Sequence, residues 1–176
     1  MSPRKQTVDP ADGVLHVEWP LFGELSRALA LKVSREYDPD VVVGVATAGV
    51  VPGAVVAAML GKEFHSIIVS RKYRAEEIRE TPAVLSSAPV EVRGRRVLIV
   101  DETCDSGETL RLAIGAVVNG GAKEVRTAVE FRTGEYQPDF HALATASTIV
   151  LPWDREVIIN GELMQNPAYA EALDSK

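Results

Sequence analysis

The sequence predicts an α/β fold: a mostly parallel central sheet flanked by helices. Three observations predict it. Val41-Val42-Val43-Gly44-Val45-Ala46 is a short, continuous, β-branched apolar run, the pattern of a strand buried on both faces. A second run, Val97 to Val100, ends abruptly on the carboxylates Asp101 and Glu102. Segments of helical spacing alternate with these runs: Leu21, Leu25, Ala28, Leu29 and Val33 before the first, Thr109 to Val118 after the second.

In chain order, residues 1 to about 13 are polar and hold Pro and Gly, which predicts a loose arm. The first helix ends near Tyr37-Asp38-Pro39, where proline cannot continue it. After the valine strand, the turn Thr47-Ala48-Gly49-Val50-Val51 leads to Pro52, suited to the first turn of a helix running to about Leu60. Phe64-His65-Ser66-Ile67-Ile68-Val69 is the second strand. Ser70 to about Arg93 is charged, holds Pro82 and Pro89 and has no sustained period, so it reads as a long loop of the kind that is often mobile and functional. Val97 to Val100 is the third strand. The helix Thr109 to Val118 is stopped by Asn119-Gly120-Gly121. Val125 to Phe131 and Thr148 to Leu151 complete the strands. With no repeat, low-complexity tract or linker, the 176 residues read as one domain. In such sheets a ligand lies beyond the carboxyl ends of the strands. The loops after Ala46, Val100 and Phe131 therefore converge on one pocket.

Composition narrows the function classes. Hydrophobic residues make up 46% and charged residues 25%, ordinary for a soluble globular protein. The net charge of −6 weighs against a nucleic-acid partner, whose phosphates need clustered cations. The basic residues Arg71, Lys72 and Arg74, with Arg93, Arg95 and Arg96, read equally as solvated loop charges or as a local site for a small anion. No apolar run reaches the ~18 residues that span a bilayer, and the N-terminus has no signal-like core, so the cytoplasm is expected. Cys104, the single cysteine, excludes an internal disulfide, and its acidic neighbours disfavour a thiolate. His16, His65 and His141 have no metal-ligand spacing.

The stretch VLIVDETCDSGETL, Val97 to Leu110, carries the chemistry. Asp101 and Glu102 leave a buried strand at its carboxyl end, where they can accept hydrogen bonds from vicinal hydroxyls. Ser106, Gly107, Glu108 and Thr109 open a helix whose first N–H groups and dipole favour a phosphate. Asp105 lies between. Each feature also has a plainer reading: a solvated acid pair, a helix capped by Asp105 or Ser106, an ordinary strand-to-helix turn. Neither GxxxxGK[ST] nor a GxGxxG after a strand occurs. A phospho-receiver would place its acids near the start of the domain.

In this order, after this strand, the segment resembles the 5-phosphoribosyl-1-pyrophosphate (PRPP) signature of the type I phosphoribosyltransferases. Over roughly Leu21 to Ile158 the chain is most similar to the small xanthine-guanine and hypoxanthine phosphoribosyltransferases of bacteria and archaea. The resemblance implies their fold, with a mobile loop and a small C-terminal hood segment. It implies transfer of ribose 5-phosphate from PRPP to a nucleobase, read as a purine, with pyrophosphate released and Mg2+ as cofactor. It also implies a homo-oligomer, dimer or tetramer. By resemblance, Asp101 and Glu102 hold the ribose hydroxyls and magnesium, Asp105 to Thr109 hold the 5′-phosphate, and Asp105 handles the base proton. Thr47, Ala48, Gly49 and Val50 correspond to the pyrophosphate loop, and Ser70, Arg71 and Tyr73 to the mobile loop. Arg132, Thr148, Ile149 and Trp153 fall at base-binding positions, and Asp154 faces the magnesium.

The chain departs from that pattern at three places. Thr47-Ala48-Gly49 replaces an Arg or Lys with paired glycines, Arg132 replaces a lysine that reads the 6-oxo group, and Thr148 or Ile149 replaces a stacking aromatic. These departures motivate an alternative, a non-catalytic PRPP or nucleotide-binding regulator on the same fold.

Overall fold

The valine run and its neighbours become strands of one sheet in the computed structural model, which describes residues 13–73 and 77–170, the side chains of 71–81 excepted. In chain order the elements are β1 (Val14–His16), α1 (Trp19–Glu36), β2 (Val41–Ala46), α2 (Val50–Leu60), β3 (Glu63–Tyr73) and β4 (Glu77–Val84). After a 3₁₀ turn at Val90–Val92 come β5 (Arg96–Cys104), α3 (Glu108–Asn119), β6 (Glu124–Arg132) and β7 (Phe140–Ala144). Then follow β8 (Thr148–Val150), β9 (Glu156–Ile159), β10 (Glu162–Gln165) and a last 3₁₀ turn at Pro167–Tyr169. Residues 1–12, where the loose arm is expected, lie outside the described residues. No helix among the described residues is long and apolar enough to cross a membrane. The elements group into two units, Leu25–Thr145 and the segments on either side of it.

The larger unit holds a six-stranded sheet in the order β4-β3-β2-β5-β6-β7. Every neighbouring pair is parallel except β3 with β4. Strand order reverses between β2 and β5, which makes their carboxyl ends the switch point where α/β sheets take ligands. The period of two explains the layers. Val42, Leu98, Val100 and Ala128 pack beneath Leu29 and Val33 of α1 and Val56 and Ala57 of α2. Val41, Val43, Ile99 and Val129 face Leu110, Ala113 and Val117 of α3. Each valine, leucine or isoleucine so removed from water contributes about 1.5–3 kcal/mol, and this packing fixes the strand ends from which the site grows.

Two expectations are corrected here. The Ser70 to Arg93 segment is not a structureless loop: β3 runs on to Tyr73 and β4 returns antiparallel beside it. As an edge strand β4 needs no continuous apolar face, and it tolerates Pro82, which has no N–H for a ladder. The strand at Thr148 does form, but it pairs in parallel with β1 rather than extending the central sheet. The sheet's last strand is β7 instead. Its start is held by Asp139, whose Oδ2 accepts from Thr127 N at 2.8 Å and Thr127 Oγ1 at 2.9 Å.

The smaller unit contains the β1–β8 pair and the antiparallel β9–β10 hairpin. The hairpin turns on Asn160 (φ 53°) and Gly161 (φ 86°), the left-handed pair that a type I′ two-residue turn requires. Trp19, Phe22 and Trp153 form an aromatic cluster with ring centroids 5.0–6.0 Å apart.

Candidate functional site

β5 builds the site because its core residues are sealed and its end is not. Val97 to Val100 are fully buried, and the strand continues past them through Asp101 and Thr103 to Cys104. Two adjoining cavities lie at this end. One, of about 240 Å³, is lined by Ala46, Thr47 and Ala48 after β2, Ser70 of β3, Pro82 of β4, and Asp101, Glu102, Thr103 and Thr109. The other, of about 210 Å³, is lined by Asp101 and Thr103 together with the whole turn Asp105, Ser106, Gly107, Glu108 and Thr109. Asp101, Thr103 and Thr109 belong to both. The structure thus brings together the acid pair, the helix-opening turn and the loop after β2.

The loop after β2 is short and tightly seated. The Ala46–Thr47 peptide is cis. Gly49 lies against β5, where a Cβ would come within 2.7 Å of Asp101 Oδ1 and 2.9 Å of its Cα. Val50 already begins α2, with its N–H directed at Thr47 O at 3.3 Å. At the second turn, Gly107 occupies the N-cap of α3 with φ 77°. Asp105 and Ser106, the capping residues the sequence offers, do not take that position. Gly107 provides no side-chain cap, and Ser106 Oγ only accepts from Glu108 N at 3.5 Å. A side chain at Gly107 would be strained by its φ and would meet the Tyr136 ring.

Electrostatics follow from burial. Asp101 is only 7% exposed, and burial holds its carboxyl well above the usual carboxylate range. The adjacent Glu102 charge pushes the same way, against the Glu102 N–H that donates to Asp101 Oδ1 at 2.9 Å. Cys104, 4% exposed, is raised to about 11 by burial and then by Asp101 and Asp105. It is a thiol, as its acidic neighbours predict, and no nucleophile.

Arg132 ends β6 opposite Cys104, and its Nε is buried without a hydrogen-bond partner among the described residues. The loop beyond it is bonded to the signature turn: Thr133 N and Oγ1 donate to Cys104 O at 2.8 and 3.3 Å, and Tyr136 N donates to Asp105 O at 3.3 Å. Thr148, Ile149, Trp153 and Asp154 belong to the smaller unit. There Ile149 is buried, Trp153 joins the aromatic cluster, and Asp154 Oδ1 accepts from Tyr169 OH at 2.8 Å. The side chains of Arg71 and Tyr73 lie outside the described residues.

Sequence reading missed Thr103 and the 133–136 loop. Thr103 follows Asp101 at the strand period of two, a signal that was present. The loop is joined to the turn by backbone bonds, the Thr133 hydroxyl and the packing of the Tyr136 ring on Gly107, long-range contacts that leave no local pattern.

Against known proteins, residues 17–159 match the model of the phosphoribosyl transferase domain family. A transcriptional regulator GfcR of Archaeoglobus fulgidus is 34% identical over 128 residues, which cover 68% of this chain and 64% of the regulator. The chain therefore matches under two thirds of that relative's length. A xanthine-guanine phosphoribosyltransferase of Nitratidesulfovibrio vulgaris (strain Hildenborough) is 27% identical over 169 residues, covering 92% of this chain and 97% of the relative. Among solved structures, a purine phosphoribosyltransferase of Pyrococcus horikoshii matches with a TM-score of 0.70 and 30% identity, covering 84% of this chain and 99% of that one.

Proposed function

The chain belongs to the phosphoribosyltransferase domain family, and from that premise we propose that it transfers the ribosyl 5-phosphate of PRPP to a purine nitrogen, releasing pyrophosphate. One observation carries the reading. Asp101, Glu102 and Thr109 share a cavity with Thr47 and Ala48, beside a second cavity formed by the 105–109 turn. The 5′-phosphate takes the N–H groups of that turn, at the positive end of the α3 dipole. The carboxylates accept from the ribose 2′- and 3′-hydroxyls, and the pyrophosphate runs along Thr47, Ala48, Gly49 and Val50.

In the reaction the C1′–O bond to pyrophosphate breaks and its electron pair leaves with the pyrophosphate. A base nitrogen forms the C1′–N bond, and the proton it sheds passes to Asp105. The protein contributes positioning and electrostatics more than covalent chemistry. The acid pair fits magnesium, whose charge would draw the Asp101 carboxyl, raised by burial, back to its ionised form, and which binds oxygen through one or two carboxylates beside substrate phosphates and keeps several waters. Held by Asp101 and Glu102, it would supply charge neutralisation for the leaving pyrophosphate. The enzymes from N. vulgaris and P. horikoshii support a purine as the acceptor, with Arg132 donating to its 6-oxo group. Thr148, Ile149, Trp153 and Asp154 keep their resemblance-derived roles within this proposal, as do the cytoplasmic setting and the homo-oligomer.

A second reading, a PRPP- or nucleotide-binding regulator, is favoured by the A. fulgidus relative. Incubating the purified chain with PRPP, magnesium and a panel of purines and pyrimidines separates the two. Pyrophosphate released with a purine is expected. Binding of PRPP with no pyrophosphate from any base would overturn transfer and leave the regulator.

A further inference from the structure

The signature turn does not stand on its own strand and helix alone. The loop after β6 is locked into it at two glycines. A Cβ on Gly134 would collide with the Asp105 carboxylate and lie 2.6 Å from the Asp105 carbonyl oxygen. Conversely, a Cβ on Gly107 would collide with the Tyr136 ring and lie 2.7 Å from its Cε2. Each partner thus presses on the other's missing side chain. Three backbone bonds hold the join: Thr133 N to Cys104 O at 2.8 Å, Gly134 N to the same oxygen at 3.4 Å, and Tyr136 N to Asp105 O at 3.3 Å. The outer side is closed by Arg111 of α3, whose guanidinium stacks 4.8 Å over the Tyr136 ring and donates from Nη1 to Ser106 O at 3.0 Å.

We infer that Gly134 and Tyr136 are positioning residues: Gly134 sets the side chain of Asp105, and the Tyr136 ring, braced by Arg111, holds the phosphate turn at Gly107. The division of labour follows from the contacts. Gly134 meets the carboxylate that takes the base proton, so its influence falls on turnover. Tyr136 meets the residue whose left-handed conformation aims the N–H groups of the turn, so its influence falls on phosphate binding. The hydroxyl of Tyr136 takes no part in either contact. This assignment rests on the phosphoribosyl-transfer reading for its turnover arm only.

The test uses ribose 5-phosphate binding by calorimetry and pyrophosphate release, with melting curves to verify folding. Tyr136→Ala should weaken ribose 5-phosphate binding about tenfold, and Tyr136→Phe should leave it within about twofold, since a displaced turn costs aim while the ring alone suffices. Gly134→Ala should lower kcat about a hundredfold in the wild-type background, yet less than about threefold in an Asp105→Asn background, because residues acting through one group are not additive. If Gly134→Ala does not fold, Tyr136→Leu, which keeps bulk without a ring, should weaken binding like Tyr136→Ala. Wild-type affinity in both Tyr136→Ala and Tyr136→Leu, or equal loss in both Tyr136→Ala and Tyr136→Phe, overturns the assignment for Tyr136. Additive losses for Gly134→Ala and Asp105→Asn overturn it for Gly134. Wild type that binds ribose 5-phosphate but releases no pyrophosphate removes the transfer reading, and the binding arm then decides the inference. Wild type that fails to bind the sugar phosphate overturns both.

Discussion

Asp105 is placed through its backbone and its surroundings: Tyr136 N bonds its carbonyl, and Gly134 leaves room for its carboxylate. A carboxylate so held can take a proton without reorganising the turn that carries it. Asp105→Asn keeps the shape and removes the base, so kcat should fall about 10²–10⁴-fold, the usual worth of general base catalysis, while the KM for PRPP stays within about threefold. Steady-state kinetics with the preferred purine measure this, and unchanged kcat would remove Asp105 from proton transfer. The neighbouring Cys104 makes the opposite prediction. At about 11 its thiol is almost wholly protonated at pH 8, and it is buried. Iodoacetamide at pH 8 should leave it unlabelled in the folded protein and alkylate it fully in urea, as read by intact mass. Rapid labelling of the folded chain would contradict the burial.

Among the elements, the join between the loop after β2 and the end of β5 is a close constraint on the site. Gly49→Ala would force a methyl into Asp101, and overpacking of this kind costs about 1–3 kcal/mol. Because the displaced atoms are those proposed to grip ribose and pyrophosphate, the KM for PRPP should rise about tenfold or more, whereas base KM should change little. A variant with unaltered KM for PRPP would show that the acid pair does not depend on this contact. The same elements explain what the sequence could reveal. β2 and β5 were legible because both of their faces are buried, leaving an uninterrupted apolar run, and the acids at the end of β5 stand out against it. β4 was not, because an edge strand carries no such run. The β9–β10 hairpin does carry a local signal: Asn160-Gly161 between two four-residue strands is a strong hairpin mark. In the site, the turn from Asp101 to Thr109 was legible as side-chain chemistry. The Gly134 and Tyr136 supports were not, since no local pattern tells which distant ring a glycine must admit.

For the molecule as a whole, one buried carboxyl outside the site makes its own contribution to the pH dependence of stability in the neutral range. Glu130 of β6 is fully buried. Its Oε1 accepts from Ser26 Oγ of α1 at 2.6 Å, and Oε2 has no partner among the described residues. Burial raises its pKa from 4.5 to about 7, and the Ser26 bond lowers it only in part. The folded chain therefore keeps this proton up to near neutrality, whereas the unfolded chain releases it near 4.5. Its stabilising effect is complete below about pH 4.5 and is lost as pH rises through 7. The loss corresponds to about 3 kcal/mol at about 1.4 kcal/mol per pKa unit. Glu130→Gln cannot ionise, so it escapes that loss while keeping an oxygen for Ser26. At about 2–4 °C per kcal/mol for a chain of this size, the melting temperature of the variant relative to wild type should rise by roughly 6–12 °C between pH 5 and pH 8. Groups elsewhere titrate alike in both proteins and cancel in that difference, so a constant gap across the range would mean that Glu130 is ionised in the fold, with a partner or a path to water that its surroundings do not provide.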